Sequence, residues 1–140
     1  MYTILDKPGA SVMTYTTKRT VETDLFPPVR DFLMAQGFLV RSEVMDCDVT
    51  AVKDGKLIVV ELKRYFSVEL LAQGVERQKT ADAVFLAIPK PKQMRMDSKW
   101  KGNLYLLDRL GLGLIFVSLK GKSSWVEVVQ DAKPSNRKAT

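Results

Sequence analysis

The sequence predicts an α/β domain built on a mixed sheet, and three observations carry that reading. The run "CDVTAVKDGKLIVVELK", residues 47–63, reads as a β-hairpin folded on Asp54-Gly55, a favoured pair for a two-residue type I′ turn. Residues 57–89 then read as strand, helix, strand, which implies a parallel crossover, right-handed by default. Finally, "AVFLAIP", 83–89, is continuously apolar, the mark of a strand covered on both faces.

The remaining elements follow in chain order. Residues 1–18 show no sustained period and contain the turn pair Pro8-Gly9, so a loose arm is expected there. Such an arm is available for a short strand or a homodimer contact. The domain itself is expected over 19–131, followed by a basic tail over 132–140. "TVETDLFPPVRDFLMAQGF" reads as a helix with Gly37 just past its end and Val29, Phe32 and Leu33 on its apolar face. Pro27 and Pro28 are expected either to start that helix or to kink it. "FLVRSEVM" alternates as a first strand, and the hairpin strands follow near 48–53 and 56–63. In "SVELLAQGVERQKTA", 67–81, Ser67 is the expected N-cap and Glu69 suits the positive end of the helix dipole. Val68, Leu71, Ala72 and Val75 are the expected core stripe, with Gly74 interrupting it. After the 83–89 strand comes a basic loop, then a helix around 99–110 stopped by Gly111. Two last strands, "LGLIFVSL" and "SWVEVVQDA", are joined by Lys120-Gly121-Lys122-Ser123.

Composition removes several chemistries. With 140 residues and 46% apolar content the chain fits one domain with a real core. One cysteine, Cys47, and no histidine exclude a disulfide framework, a cysteine-rich zinc site and any histidine triad or base. Acid–base work falls to carboxylates, lysine or tyrosine. Cys47, with no histidine partner, reads as a small core residue. A free thiol and no signal peptide fit a reducing cytoplasm. No apolar run approaches the roughly 20 residues of a membrane span. The net charge of +6, from 22 Lys and Arg against 16 Asp and Glu, permits a polyanionic partner. "KPKQMRMDSKWK", 90–101, sets Lys90, Lys92, Arg95, Lys99 and Lys101 against the single Asp97, a density suited to phosphates. The tail adds Lys133, Arg137 and Lys138. Trp100 and Trp125 read as packing residues rather than base-stacking platforms.

The hairpin register turns this outline into a site. If Asp54 and Gly55 form the turn, Lys53 faces Lys56, Val49 faces Val60, and Asp48 faces Glu61. Side chains alternate along a strand, so Asp48, Glu61 and Lys63 share one face while Val49, Val60 and Leu62 share the other. Like charges directly opposite are destabilising. Converging carboxylates become favourable around a hard divalent cation, and oxygen-only ligands suit magnesium or manganese. Lys63 would offset the repulsion when no metal is present.

An acid in a first helix, an Asp leading one strand, Glu-x-Lys ending the next, then a helix and a buried strand resemble the PD-(D/E)XK nuclease superfamily. The runs "ETDLFPPV", "CDVTA", "VVELK" and "TADAVFLAIP" are similar to those of a bacterial family of PD-(D/E)XK-type phosphodiesterases, formerly a domain of unknown function. The resemblance covers roughly residues 20–130. It implies a restriction-endonuclease-like αβββαβ core, a mixed central sheet flanked by helices. It makes Glu22 the first-helix acid and Asp48 and Glu61 the metal-binding acids. Lys63 becomes the residue that activates or orients the attacking water, and Gln73 the second-helix glutamine. Cys47 stands where the superfamily's name has proline.

The implied activity is hydrolysis of nucleic-acid phosphodiester bonds with Mg or Mn. DNA is preferred over RNA as the partner, and Lys90, Lys92, Arg95, Lys99 and Lys101 are the expected nucleic-acid contacts. The alternative is a non-catalytic nucleic-acid-binding or assembly module on the same fold. A purely structural domain would not need the carboxylate pair.

Overall fold

In the computed structural model, which describes residues 22–43, 48–92, 98–120 and 123–135, the Asp54-Gly55 turn forms with both residues at positive φ, 53° and 77°. The elements are α1 (Glu22–Ala35), β1 (Leu39–Glu43), β2 (Asp48–Lys53), β3 (Lys56–Leu62), α2 (Val68–Arg77), β4 (Ala83–Pro89), α3 (Ser98–Leu110), β5 (Gly113–Lys120) and β6 (Ser123–Gln130). The six strands make one mixed sheet in sequential order. β1, β2 and β3 are antiparallel neighbours, β3, β4 and β5 are parallel, and β6 returns antiparallel to β5. The expected N-terminal arm, residues 44–47 with Cys47, Arg95, and the tail residues Arg137 and Lys138 lie outside the described residues.

The sheet is covered on both faces, which is why β4 is apolar along its whole length. Leu25, Val29 and Leu33 of α1 pack on Val49, Ala51, Val60, Leu62, Ala87, Ile115 and Val117. On the opposite face α2 and α3 supply Leu70, Leu71 and Leu107, which pack on Val59, Val84, Leu86, Ile88, Leu114 and Phe116. No helix among the described residues is long and apolar enough to cross a membrane.

One helix follows the span the sequence suggested, and the other differs in its buried face. α1 begins at Glu22, well before Pro27 and Pro28, which lie inside it. Each proline removes one intrahelical hydrogen bond. Burial of Leu25 before them and Val29 and Leu33 after them holds the helix together across the gap. In α2 the Ser67 cap is as expected, with its Oγ accepting from the Leu70 N–H at 3.1 Å. The expected core stripe holds only at Leu71. Leu70, Leu71 and Gly74 are buried, whereas Val68, Ala72 and Val75 are exposed. The reason is close approach. A Cβ on Gly74 would meet Leu86 Cδ2 at 2.9 Å and Leu112 Cδ2 at 3.1 Å. The glycine is therefore the point where helix and sheet touch, and the helix is rotated about it.

Local contacts fix the ends of the elements. Leu57 and Asp82 clasp the starts of β3 and β4: the Leu57 N–H donates to Asp82 Oδ2 and the Asp82 N–H to Leu57 O, both at 2.8 Å. Lys53 Nζ donates to Gln36 O at 2.7 Å, where the end of α1 presents carbonyls. Trp100 packs edge-on against Phe116, with centroids 5.4 Å apart, and beside Phe66 at 5.7 Å, so its reading as a packing residue holds. The C-terminal segment is tied back by Lys133 N–H to Gly111 O and Ser135 N–H to Asp82 O.

Candidate functional site

The hairpin register is the one deduced from the turn. Asp48 pairs with Glu61, Val49 with Val60 and Lys53 with Lys56. Asp48 opens β2 and Glu61 is the penultimate residue of β3. Val49, Val60 and Leu62 turn toward α1, which leaves Asp48 and Glu61 on the face that α2 covers. Both acids are buried, 3% and 2% exposed.

Their principal counter-ion is a residue absent from the sequence expectation. One nitrogen of Arg77, Nη2, lies 2.5 Å from Asp48 Oδ2, and its Nε donates to Glu61 Oε2 at 2.8 Å. A single guanidinium thus joins both carboxylates, and its planar fork suits the task. The repulsion expected between the acids is relieved by the protein itself. The three side chains still carry two negative charges against one positive. Spacing held a signal for Arg77. Residues three and four apart share a helix face, so Leu70, Gly74 and Arg77 lie on one stripe, buried at Leu70 and Gly74 and part-exposed at Arg77. The expected stripe through Val68, Leu71, Ala72 and Val75 turned Arg77 away from the sheet.

The other expected residues gather near this pair to different degrees. Lys63 is one residue past β3, half-buried, and its N–H bonds Ala87 O at 3.0 Å, so the strand geometry continues through it. Alternation puts it on the Glu61 side of the chain. Its ammonium makes no ion pair among the described residues. Gln73 lies one helical turn before Arg77; its Oε1 is buried and makes no hydrogen bond among the described residues. Glu22 sits at the start of α1, with Oε2 3.6 Å from Arg64 Nε, just beyond the end of β3. Among the described residues no three acidic or other ligating side chains cluster closely enough to hold a metal together, so Glu22 does not complete a three-acid set.

The donors nonetheless fit a small hard cation. Magnesium commonly takes one or two carboxylates and fills its other positions with water and substrate phosphate. Asp48 and Glu61 meet that description. Arg77 engages one oxygen of each acid, and at 38% exposure it has a path outward toward solvent.

Beyond the pair, the C-terminal ends of β3, β4 and β5 open into a cationic region. Ligands of open α/β sheets gather outside the carboxyl ends of the strands. A cleft of about 670 Å³ there is lined by Arg64, Lys90, Lys92 and Lys99, with Trp100 at its base. Lys101 is exposed on α3 but is not among the cleft's lining residues. Lys90 also reaches Glu127 at 3.4 Å. Comparison of the chain with family models, curated proteins and solved structures finds no match.

Proposed function

We propose that this protein is a metal-dependent phosphodiesterase of the PD-(D/E)XK type, hydrolysing nucleic-acid phosphodiester bonds. The observation that carries the reading is the buried Asp48–Glu61 pair, directly opposed across β2 and β3, with Lys63 two residues further on. Two buried carboxylates aimed at one point are costly unless a cation is their partner. The order αβββαβ over α1 to β4 supports the restriction-endonuclease-like core implied by the sequence resemblance.

Asp48 and Glu61 would hold Mg or Mn, which supplies Lewis-acid polarisation of the phosphate and a more acidic bound water. The chain's own residues do the rest. Lys63 orients the attacking water or steadies the charge that develops on the phosphate oxygens. Gln73, with its buried amide oxygen, helps order the same space. Arg77 holds the two acids in place before metal and substrate arrive. Lys90, Lys92 and Lys99 bind flanking phosphates, an electrostatic and sequence-independent contribution.

One observation favours a second reading. Because Arg77 already neutralises part of the acid pair, the same site is stable as a structural ion cluster in a non-catalytic nucleic-acid-binding module. A cleavage panel separates the two. Single-stranded, duplex and branched DNA and RNA are incubated with protein and Mg or Mn, against chelator controls and Asp48→Ala. Divalent-dependent cleavage lost in Asp48→Ala is the expected result. Binding without cleavage of any substrate, with metal demonstrably bound, would establish the module instead.

A further inference from the structure

We propose that the substrate is single-stranded nucleic acid, whose bases stack on Tyr65 and Trp125 while its backbone runs along the lysines between them; this deepens the phosphodiesterase reading and rests on it for the chemistry. Two clefts, each about 670 Å³, meet along Pro89–Lys92 at the end of β4. The first contains Tyr65, 66% exposed, with Arg64 lying 5.3 Å from its ring centroid. The second contains Trp125, 47% exposed, with Lys120 Nζ 5.7 Å from its ring centroid. Together they present Arg64, Lys90, Lys92, Lys99 and Lys120, and among the described residues neither is lined by an aspartate or glutamate, although Lys90 pairs with Glu127 beside them.

Exposed aromatic rings beside cations, set along a groove whose described lining is cationic and apolar, are the elements of a single-strand site. Cations track the backbone while aromatic faces accept bases of any identity. Paired and stacked bases cannot offer those faces. Trp100 shows the contrast within the same cleft, since its ring is committed to Phe66 and Phe116. Trp125 stands on the edge strand β6, where its register partner is the small Ser118.

The track also leads to the acid pair. Glu61 is the register partner of Leu86, and Ile88, two residues further along β4, lines the first cleft. At about 3.3 Å per residue the cleft opens roughly 7 Å along the sheet from Glu61. A strand lying in it would pass its backbone close to Lys63. Its bases would turn outward onto the rings.

The test is equilibrium binding in chelator, which separates recognition from chemistry. Fluorescence anisotropy compares labelled oligo(dT) with a duplex of equal length for the 140-residue chain. Wild type should bind the single strand at least tenfold more tightly. Tyr65→Ala and Trp125→Ala should each weaken single-strand binding about 5- to 150-fold, the range that loss of one stacked base gives, and leave duplex binding unchanged. Trp125→Phe should retain most of the affinity. Circular dichroism of each variant establishes that it is folded. Duplex bound as tightly as single strand, or both alanine variants equal to wild type, would overturn the proposal. Duplex preference with metal-dependent cleavage would sink the single-strand substrate and leave the phosphodiesterase standing. Single-strand binding with no cleavage would do the reverse.

Discussion

Asp48 and Glu61 face each other across the β2–β3 ladder, both buried, and share the guanidinium of Arg77. The arrangement has a direct energetic consequence. Removing Arg77 leaves two buried carboxylates opposed with their shared counter-ion gone. Breaking a fully buried ion pair costs about 3–5 kcal/mol. Arg77 is more than a third exposed, so the expected loss for Arg77→Ala in chelator is smaller, about 1–3 kcal/mol. Urea unfolding measures it. Adding Asp48→Asn to Arg77→Ala should recover part of that loss, because the remaining charge is then single. A double variant no more stable than Arg77→Ala would mean the carboxylates do not repel.

If Asp48 and Glu61 hold a metal as proposed, it competes with Arg77 for the two carboxylates. Calorimetric titration with manganese should show one site in wild type and none in Asp48→Ala. Arg77→Gln should bind the metal several-fold more tightly, because no guanidinium has to be displaced. Unchanged affinity in Arg77→Gln would mean the cation binds elsewhere.

Gly74 sets the distance between α2 and the sheet. Alanine is the better helix former by about 0.8–1.0 kcal/mol. Its Cβ would nevertheless press on Leu86 and Leu112, which are fully buried. Overpacking costs about 1–3 kcal/mol, so Gly74→Ala should destabilise by about 1 kcal/mol in thermal or urea unfolding. A stabilised variant would show that the two leucines move aside freely.

The cationic cleft should act through phosphates. Each phosphate contact on a single strand contributes about 0.7 to the slope of log affinity against log salt. Lys92→Gln and Lys99→Gln should each flatten that slope by about this amount. Lys90→Gln should do less, since Lys90 already pairs with Glu127. Binding series across salt concentrations give the slopes, and identical slopes in all variants would remove the cleft from the binding surface.

Much of the hairpin was legible because its information is local. Asp54-Gly55 dictates the turn, and the turn dictates that Asp48 meets Glu61. The apolar run 83–89 was equally plain, since burial on both faces leaves no other pattern. Long-range packing was not legible. The apolar residues of α2 suggest a stripe through Val68 and Val75, but the closest approach is made by Gly74, which no hydrophobicity pattern marks as buried. That rotation also hid Arg77. Pro27 and Pro28 left a helix start or a kink open, and burial of Leu25 ahead of them carries α1 back to Glu22. Trp125 read as a packing residue, whereas nearly half of its surface is exposed beside Lys120, because it lies on an edge strand.

The central claim is that the acid pair and Lys63 form a hydrolytic site, and single-turnover cleavage at saturating enzyme with Mg or Mn tests it most directly. Wild type and Lys63→Ala are compared on the same labelled oligonucleotide, after calorimetry has shown that both bind the metal equally. Lys63→Ala should keep its affinity for the strand and cleave about 10²–10⁴-fold more slowly, the usual cost of losing a positioned proton-transfer group. Lys63→Arg should not restore the full rate, because a guanidinium neither gives up its proton nor matches the shape of an ammonium. Equal cleavage rates in wild type and Lys63→Ala would contradict the account.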